Sequence, residues 1–123
     1  MLPHKISIAM LALLAGLAGT AAYAHPTLTS SSPKADVPTT NSPTEIRLNF
    51  SEGVVAKLSG VELKDESGKA VTTGAAVADP KDKKQLVVPL SAPLTAGRYT
   101  VSWHVVSEDT HRVKGEYSFK VAP

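Results

Sequence analysis

Residues 99–105 read Tyr-Thr-Val-Ser-Trp-His-Val, the longest run of alternating apolar and polar residues in this 123-residue chain. Successive side chains of a β-strand point to opposite faces, so this run predicts a half-buried strand. Its apolar phase places Trp103 toward a core, and its polar phase places His104 toward solvent. From Thr27 onward no long run has the 3.6-residue period of an amphipathic helix. The sequence therefore predicts an all-β domain.

Shorter strand-like runs flank this one and are separated by glycine, proline and other turn residues. The predicted strands are a short one near Leu28, then 45–50, 61–64, 70–77, 85–90, 98–106 and 117–121. About seven strands at this spacing predict a Greek-key antiparallel β-sandwich, with a small closed barrel as the alternative. The charged segment 79–84 is interpreted as a solvated turn. Pro89 is expected to mark an edge strand or an early strand end.

The first 24 residues do not share the strand pattern. Residues 6–18 are almost wholly apolar, and Ala22-Tyr23-Ala24 has the small-x-small form of a cleavage site. These features predict a secretory signal peptide over residues 1–24, with an uncleaved membrane anchor as the alternative. The apolar run is short for a membrane span. We therefore expect residues 25–123 to form one domain that is not a transmembrane protein after cleavage.

The composition limits the ligands that the mature domain can offer. The chain has no cysteine, and both methionines, Met1 and Met10, lie in the predicted signal peptide. Residues 25–123 are thus expected to fold without disulfides and to lack thiolate and thioether ligands. The 13 basic residues nearly balance the 11 acidic ones. This small net charge indicates neither a nucleic-acid nor an anionic-lipid partner.

Strand direction is expected to gather several polar residues. His25 precedes the first predicted strand, Glu52 follows the second, and Asp109 and His111 follow the strand 98–106. If successive strands run antiparallel, all four residues lie at the same end of the sandwich. One missed or additional strand between them would separate the set.

The residue types in this set favour a cupric ion. Cleavage after Ala24 would give His25 a free α-amine beside its imidazole, and the two could chelate one ion. Pro26 has no backbone N–H, so it cannot supply the deprotonated amide that Cu(II) commonly recruits. Adding the His111 imidazole and the Asp109 carboxylate gives three nitrogens and one oxygen. This set favours Cu(II) in a tetragonal geometry, although zinc can use the same ligand types.

Several motifs together resemble the CopC family of periplasmic copper-resistance proteins over essentially all of residues 25–123. The motifs are His25-Pro26, Asn-Phe-Ser-Glu at 49–52, Pro-Leu-Thr-Ala-Gly-Arg-Tyr at 93–99, Trp-His-Val-Val-Ser-Glu-Asp-Thr-His at 103–111 and Gly-Glu-Tyr-Ser-Phe at 115–119. The resemblance implies an immunoglobulin-like or cupredoxin-like sandwich. It also implies one Cu(II) per chain, bound by His25, Asp109 and His111, with Glu52 near the metal.

Further expectations follow from the resemblance. It implies a periplasmic protein, and together with the nitrogen-rich site it leads us to expect a monomer that is not an enzyme and that sequesters copper or delivers it. The exchange partner would be an inner-membrane copper permease or another periplasmic copper protein. Some family members also have a methionine-rich loop for Cu(I). Residues 71–84 contain no methionine, so only the cupric site is expected here.

Other interpretations remain open from the residues alone. Asp109 could cap a turn as well as bind a metal, and Glu52 could be an outer-shell or a surface acid. The amine and two imidazoles also resemble the histidine brace of copper oxygenases that act on polysaccharides. A third alternative is a plain immunoglobulin-like interaction module in which the histidines have no metal role.

Overall fold

Within the described residues the chain forms eight strands. The computed structural model describes residues 25–123; the predicted signal peptide, 1–24, lies outside the described residues. The strands are β1 Leu28–Ser32, β2 Glu45–Phe50, β3 Gly60–Asp65, β4 Ala70–Val71, β5 Val77–Asp79, β6 Asp82–Pro89, β7 Gly97–Val106 and β8 Arg112–Val121. A short 3₁₀ turn, Ala56–Leu58, lies between β2 and β3. None of the helical segments within residues 25–123 has the length and apolar character needed to cross a membrane.

The strands form two separate antiparallel sheets, with the orders β1-β2-β6-β5 and β4-β3-β7-β8. These are the orders of the ABED and CFG sheets of immunoglobulin domains, with β4 added at one edge. The predicted all-β, Greek-key, immunoglobulin-like sandwich is therefore confirmed. The closed barrel is wrong, because the described strands make two sheets.

The number of strands and some of their bounds differ from the prediction. The predicted strand 70–77 is two strands, since β4 pairs with β3 in one sheet and β5 pairs with β6 in the other. The predicted turn 79–84 is too long, because only Pro80 and Lys81 lie between strands. The first three residues of β6 are exposed, so this strand begins before its apolar alternation does. Pro89 ends β6 early, as expected, but β6 is an interior strand.

The core lies between the two sheets and consists of the inward residues of β2, β3, β6, β7 and β8. Its buried members in these strands are Ile46, Leu48, Phe50, Leu63, Leu86, Val88, Tyr99, Val101, Val105, Phe119 and Val121. Trp103 is partly buried and packs edge-on against Phe50 of the opposite sheet, with ring centroids 6.1 Å apart. His104 is exposed. The predicted phases of β7 are therefore confirmed.

A tyrosine anchors the start of β7. The Tyr99 hydroxyl donates to the Thr95 carbonyl at 2.7 Å, and its ring stacks on Phe119 at 5.5 Å. Immunoglobulin-like sandwiches have a tyrosine of this kind in the corresponding strand, where it fastens the preceding loop. This bond fixes one end of β7, and the other end of β7 leads into the candidate site.

Replacing Gly115 with alanine is expected to destabilise the fold. A Cβ at Gly115 would lie 2.5 Å from Cζ2 of Trp103, which is held between Phe50 and Tyr117. Moving the indole should cost about 1–3 kcal/mol, the usual range for overpacking. Urea unfolding measures the loss, and emission from the single tryptophan should shift in the folded state.

Gly68→Ala is the control for this substitution. Gly68 has φ 85° and nothing within 4 Å of an added Cβ. It should destabilise the fold through backbone strain of about 1–2 kcal/mol and leave the tryptophan emission unchanged. A Gly115→Ala protein with wild-type stability and emission would contradict the packing argument.

Candidate metal centre

Antiparallel pairing brings the four predicted residues to one end of the sandwich. Leu28 pairs with Phe50, so the chain before β1 and the chain after β2 lie at the same end. β7 ends at this end too, because a bridge joins Val54 to Ser107. Residues 25 and 52 therefore face the loop that carries residues 109 and 111.

The additional strand does not separate the set. Val71 of β4 pairs with Leu63, and Val77 of β5 pairs with Val87. Each short strand is antiparallel to a strand that begins at the site end, so both run toward that end. The change of sheet thus divides one predicted strand into two pieces with the same direction. Every later strand keeps the direction that the sequence predicts.

Two imidazoles lie in contact at this end. The ring centroids of His25 and His111 are 5.1 Å apart, and the ring planes meet at 81°. The Ser51 hydroxyl holds the segment of His25, because it accepts the Thr27 N–H at 2.9 Å and donates to the His25 carbonyl at 3.4 Å. Two rings this close can offer nitrogen atoms to the same ion.

The loop from Ser107 to His111 connects β7 to β8 and is closed by its own hydrogen bonds. The Ser107 N–H donates to the His111 carbonyl at 2.9 Å, and the Thr110 N–H donates to the Ser107 carbonyl at 2.9 Å. The Ser107 hydroxyl donates to Oδ1 of Asp109 and accepts the His111 N–H at 3.1 Å. Ser107 is 1 % exposed, so these bonds are shielded from water.

The Asp109 carboxylate faces the His111 ring. Its Oδ1 lies 3.1 Å from Nδ1 of His111. The hydrogen bond from Ser107, followed by the contact with His111, lowers the pKa of the Asp109 carboxyl below its usual range. The carboxyl is therefore ionised at neutral pH, and its contribution to stability is lost as the pH falls through the lowered pKa.

Glu52 places a buried carboxylate oxygen at the same end. Its neighbour Ser51 is bonded to His25, and its neighbour Gly53 accepts the Glu108 N–H at 3.0 Å. Oε2 of Glu52 is buried and has no hydrogen-bond partner among residues 25–123. Burying a carboxylate oxygen without a donor is costly. A cation at this end of the sandwich would offset that cost.

The side chains of residues 25–123 alone do not form a complete set of metal ligands. Across residues 25–123, no three histidine, aspartate or glutamate side chains are arranged to hold a metal ion. The structure brings the His25 and His111 rings together and places Asp109 beside His111. The remaining predicted donor, the α-amine of His25, does not exist while residue 24 is attached. The side-chain set is therefore expected to be incomplete before cleavage.

Two features of the site were not predicted from the sequence. Ser107 links Asp109 to His111, and its position two residues before Asp109 is the only signal, since serine commonly bonds within a local turn. The second feature is the close approach at Gly53, where a Cβ would collide with the Glu108 carboxylate. Nothing in the sequence distinguishes this glycine from a turn glycine.

Thr110 has φ 72°, a left-handed conformation that β-branched residues rarely adopt. We expect Thr110→Gly to be more stable than Thr110→Ala by about 1 kcal/mol, because only glycine adopts this φ without strain. The order is opposite to the usual one, in which alanine is the more stable residue. Urea unfolding of both metal-free variants measures the difference. An alanine variant as stable as the glycine variant would show that the loop carries no such strain.

Comparisons with known proteins agree with this fold. The CopC domain model matches residues 28–122. Protein YobA of Escherichia coli (strain K12) is 42% identical over 118 residues, covering 96% of this chain and 95% of that protein. Copper resistance protein C of Pseudomonas syringae pv. tomato is 39% identical over 128 residues, covering 98% and 99%.

Two solved structures are also similar. CopC from Methylosinus trichosporium OB3b has a TM-score of 0.75 at 32% identity, covering 80% of this chain and 95% of that one. PcoC from Escherichia coli, described as a methionine-rich copper resistance protein, has a TM-score of 0.71 at 40% identity, covering 80% and 99%. Residues 25–123 of the present chain contain no methionine.

Proposed function

Because the chain belongs to the CopC family, we propose that its mature form binds one Cu(II) ion and sequesters or delivers copper. The observation that carries this proposal is the contact between the His25 and His111 rings, 5.1 Å apart, with the Asp109 carboxylate 3.1 Å from the second ring. Imidazole and carboxylate are ligands that suit Cu(II), and sulfur ligands for Cu(I) are lacking in residues 25–123.

Each residue has a role in the proposed site. His25 supplies the α-amine and the imidazole Nδ1 as a chelate, and His111 supplies the second imidazole. Asp109 is the proposed oxygen ligand, and in the metal-free protein its carboxylate contacts the His111 ring. Glu52 balances the charge of the ion from the buried side. Pro26 is buried and lacks an N–H, so the chelate cannot extend along the backbone.

We also propose that the protein is a monomer in the periplasm. The apolar segment and cleavage site within residues 1–24 support export. The proposed exchange partner is an inner-membrane copper permease or another periplasmic copper protein. The nearly balanced charge of the chain supports neither a nucleic-acid nor an anionic-lipid partner.

Titration of the mature protein with Cu(II), followed by electron paramagnetic resonance, tests the copper site. We expect one equivalent to bind and to give a spectrum with nitrogen hyperfine structure from three nitrogens. Mass spectrometry first establishes that the chain begins at His25. Failure to reach a one-to-one complex, or a spectrum typical of oxygen ligands only, would contradict the proposal.

A binding role is favoured over an oxygenase role. The oxygen ligand Asp109 would fill a position that an oxygen-activating copper site keeps open. The aromatic residues Phe50, Tyr99 and Phe119 are buried, so they provide no platform for a glycan. The test is reductant-dependent peroxide formation by the copper-loaded protein. A rate well above that of free copper would support the oxygenase.

A metal-free interaction module makes a different prediction. If the histidines had no metal role, Cu(II) would leave thermal unfolding unchanged. A site occupied at 100 times its Kd should instead stabilise the fold by about 2.7 kcal/mol. Thermal melts with and without Cu(II) distinguish the two.

A further inference from the structure

We propose that Ser107 is a positioning residue of the copper site, and that its hydroxyl fixes the Asp109 carboxylate and the His111 backbone in the arrangement that presents the His111 imidazole to the metal. This inference rests on the proposed function, because it concerns how that site is held. It assigns a role to a residue that is not itself a ligand.

Two bonds of the hydroxyl together require an atom that both donates and accepts, and a third, longer contact of 3.5 Å reaches the His111 carbonyl. The hydroxyl donates its proton to Oδ1 of Asp109 and accepts the His111 N–H at 3.1 Å. The same Oδ1 lies 3.1 Å from Nδ1 of His111. Ser107 thus fixes the backbone of His111 directly and the ring of His111 through Asp109. Serine and threonine can make both bonds, whereas alanine can make neither.

The position of Ser107 is itself fixed by the segment that follows β2. Ser107 bridges to Val54 in the segment after β2, and the Glu108 N–H donates to the Gly53 carbonyl at 3.0 Å. These contacts join the loop to the segment that carries Glu52. At 1 % exposure, the serine cannot exchange its partners for water. The Ser107 hydroxyl therefore keeps one position relative to the loop 107–111 and to the segment that carries Glu52.

Loss of the hydroxyl should reduce affinity without removing a ligand. The Asp109 carboxylate is 52% exposed, so in Ser107→Ala it can turn toward water and release the ring. Residues that orient metal ligands typically contribute about 10- to 100-fold to metal affinity. We expect Ser107→Ala to lose affinity in that range, and Ser107→Thr to stay close to the wild type.

Ser42→Ala is a matched control at the opposite end of the sandwich. The Ser42 hydroxyl also accepts a backbone N–H, from Leu94 at 2.7 Å. This variant loses a comparable hydrogen bond far from the site, so its Cu(II) affinity should equal that of the wild type. Affinity is measured by competition with a chelator of known strength, and the ligand set is compared by electron paramagnetic resonance.

A metal-free measurement separates this inference from the proposed function. Nitrogen-15 shifts of the imidazoles should show His111 as the Nδ1–H tautomer in wild type and in Ser42→Ala, and as a mixture of tautomers in Ser107→Ala. If the wild type bound no copper, the proposed function would fail, and these shifts would still decide whether Ser107 positions the ring.

The inference is overturned if folded Ser107→Ala binds Cu(II) as the wild type does, with the same spectrum and tautomer. An equal loss of affinity in Ser42→Ala would overturn it as well, because the effect would then be general. If Ser107→Ala does not fold, Ser107→Thr decides: wild-type affinity supports a role for the hydroxyl, and a folded threonine variant with weak binding contradicts it.

Discussion

Cu(II) binding is expected to weaken by about 100-fold or more when His111 is replaced by alanine, since even outer-shell partners of metal ligands contribute 10- to 100-fold. The substitution removes the imidazole that lies 5.1 Å from the His25 ring. It also leaves Asp109 without the ring that it orients. Competition titration with a chelator measures the change, and the paramagnetic spectrum should lose the hyperfine structure of one nitrogen.

His104→Ala is the matched control for this prediction. His104 lies on β7, only seven residues before His111, but its side chain is exposed on the outer face of the sheet above Gly60. Removing it should leave the affinity and the spectrum unchanged. Equal losses in the two histidine variants would show that copper binds to surface histidines without a defined site, which would contradict the proposed centre.

Strand bounds could be predicted where the apolar and polar residues of the strand itself alternate. The bounds of β2, Glu45–Phe50, match the prediction, and β7 begins at Gly97 instead of at residue 98. In β2, buried positions alternate with partly buried ones along the whole strand, and in β7 they do so from Tyr99 to Ser102. The predicted bounds are wrong where pairing with a distant strand, and not the local sequence, determines the structure. The chain leaves β4 to join the other sheet at β5, and small residues 72–76 carry no alternation that would indicate this change.

The same distinction applies to the site. Strand direction alone placed His25 and His111 at one end, because antiparallel order depends only on the number of strand reversals. The direction of the Ser107 hydroxyl depends instead on the conformation of the loop. That loop has Thr110 at φ 72°, a conformation for which residue statistics would favour glycine or asparagine. Local propensity therefore predicts a different loop, and the contacts of Ser107 could not follow from the sequence.

The second large effect concerns the chain terminus. Adding a Gly-Ser-Gly-Ser extension before His25 is expected to weaken Cu(II) binding by about 100-fold or more, again because a direct ligand is lost. The extension converts the α-amine of His25 into an amide N–H, and the new amine lies four residues away. His25 is exposed, and Pro26 is buried behind it, so the extension should leave the fold intact. Competition titration measures the loss of Cu(II) affinity, and the melting temperature of the metal-free protein shows whether the fold is intact.

The pH dependence of binding identifies the lost ligand. An α-amine has a pKa of about 7.7–8.0, so copper must displace its proton at neutral pH, and the affinity of the native terminus should fall as the pH is lowered below about 7.7. The extended protein should lack this part of the dependence. A protease site that regenerates His25 as the first residue gives the control, since cleavage must restore both the affinity and the pH dependence. If the extended chain instead binds copper as tightly as the cleaved one, the amine is not a ligand, and removal of the signal peptide has no part in building the site.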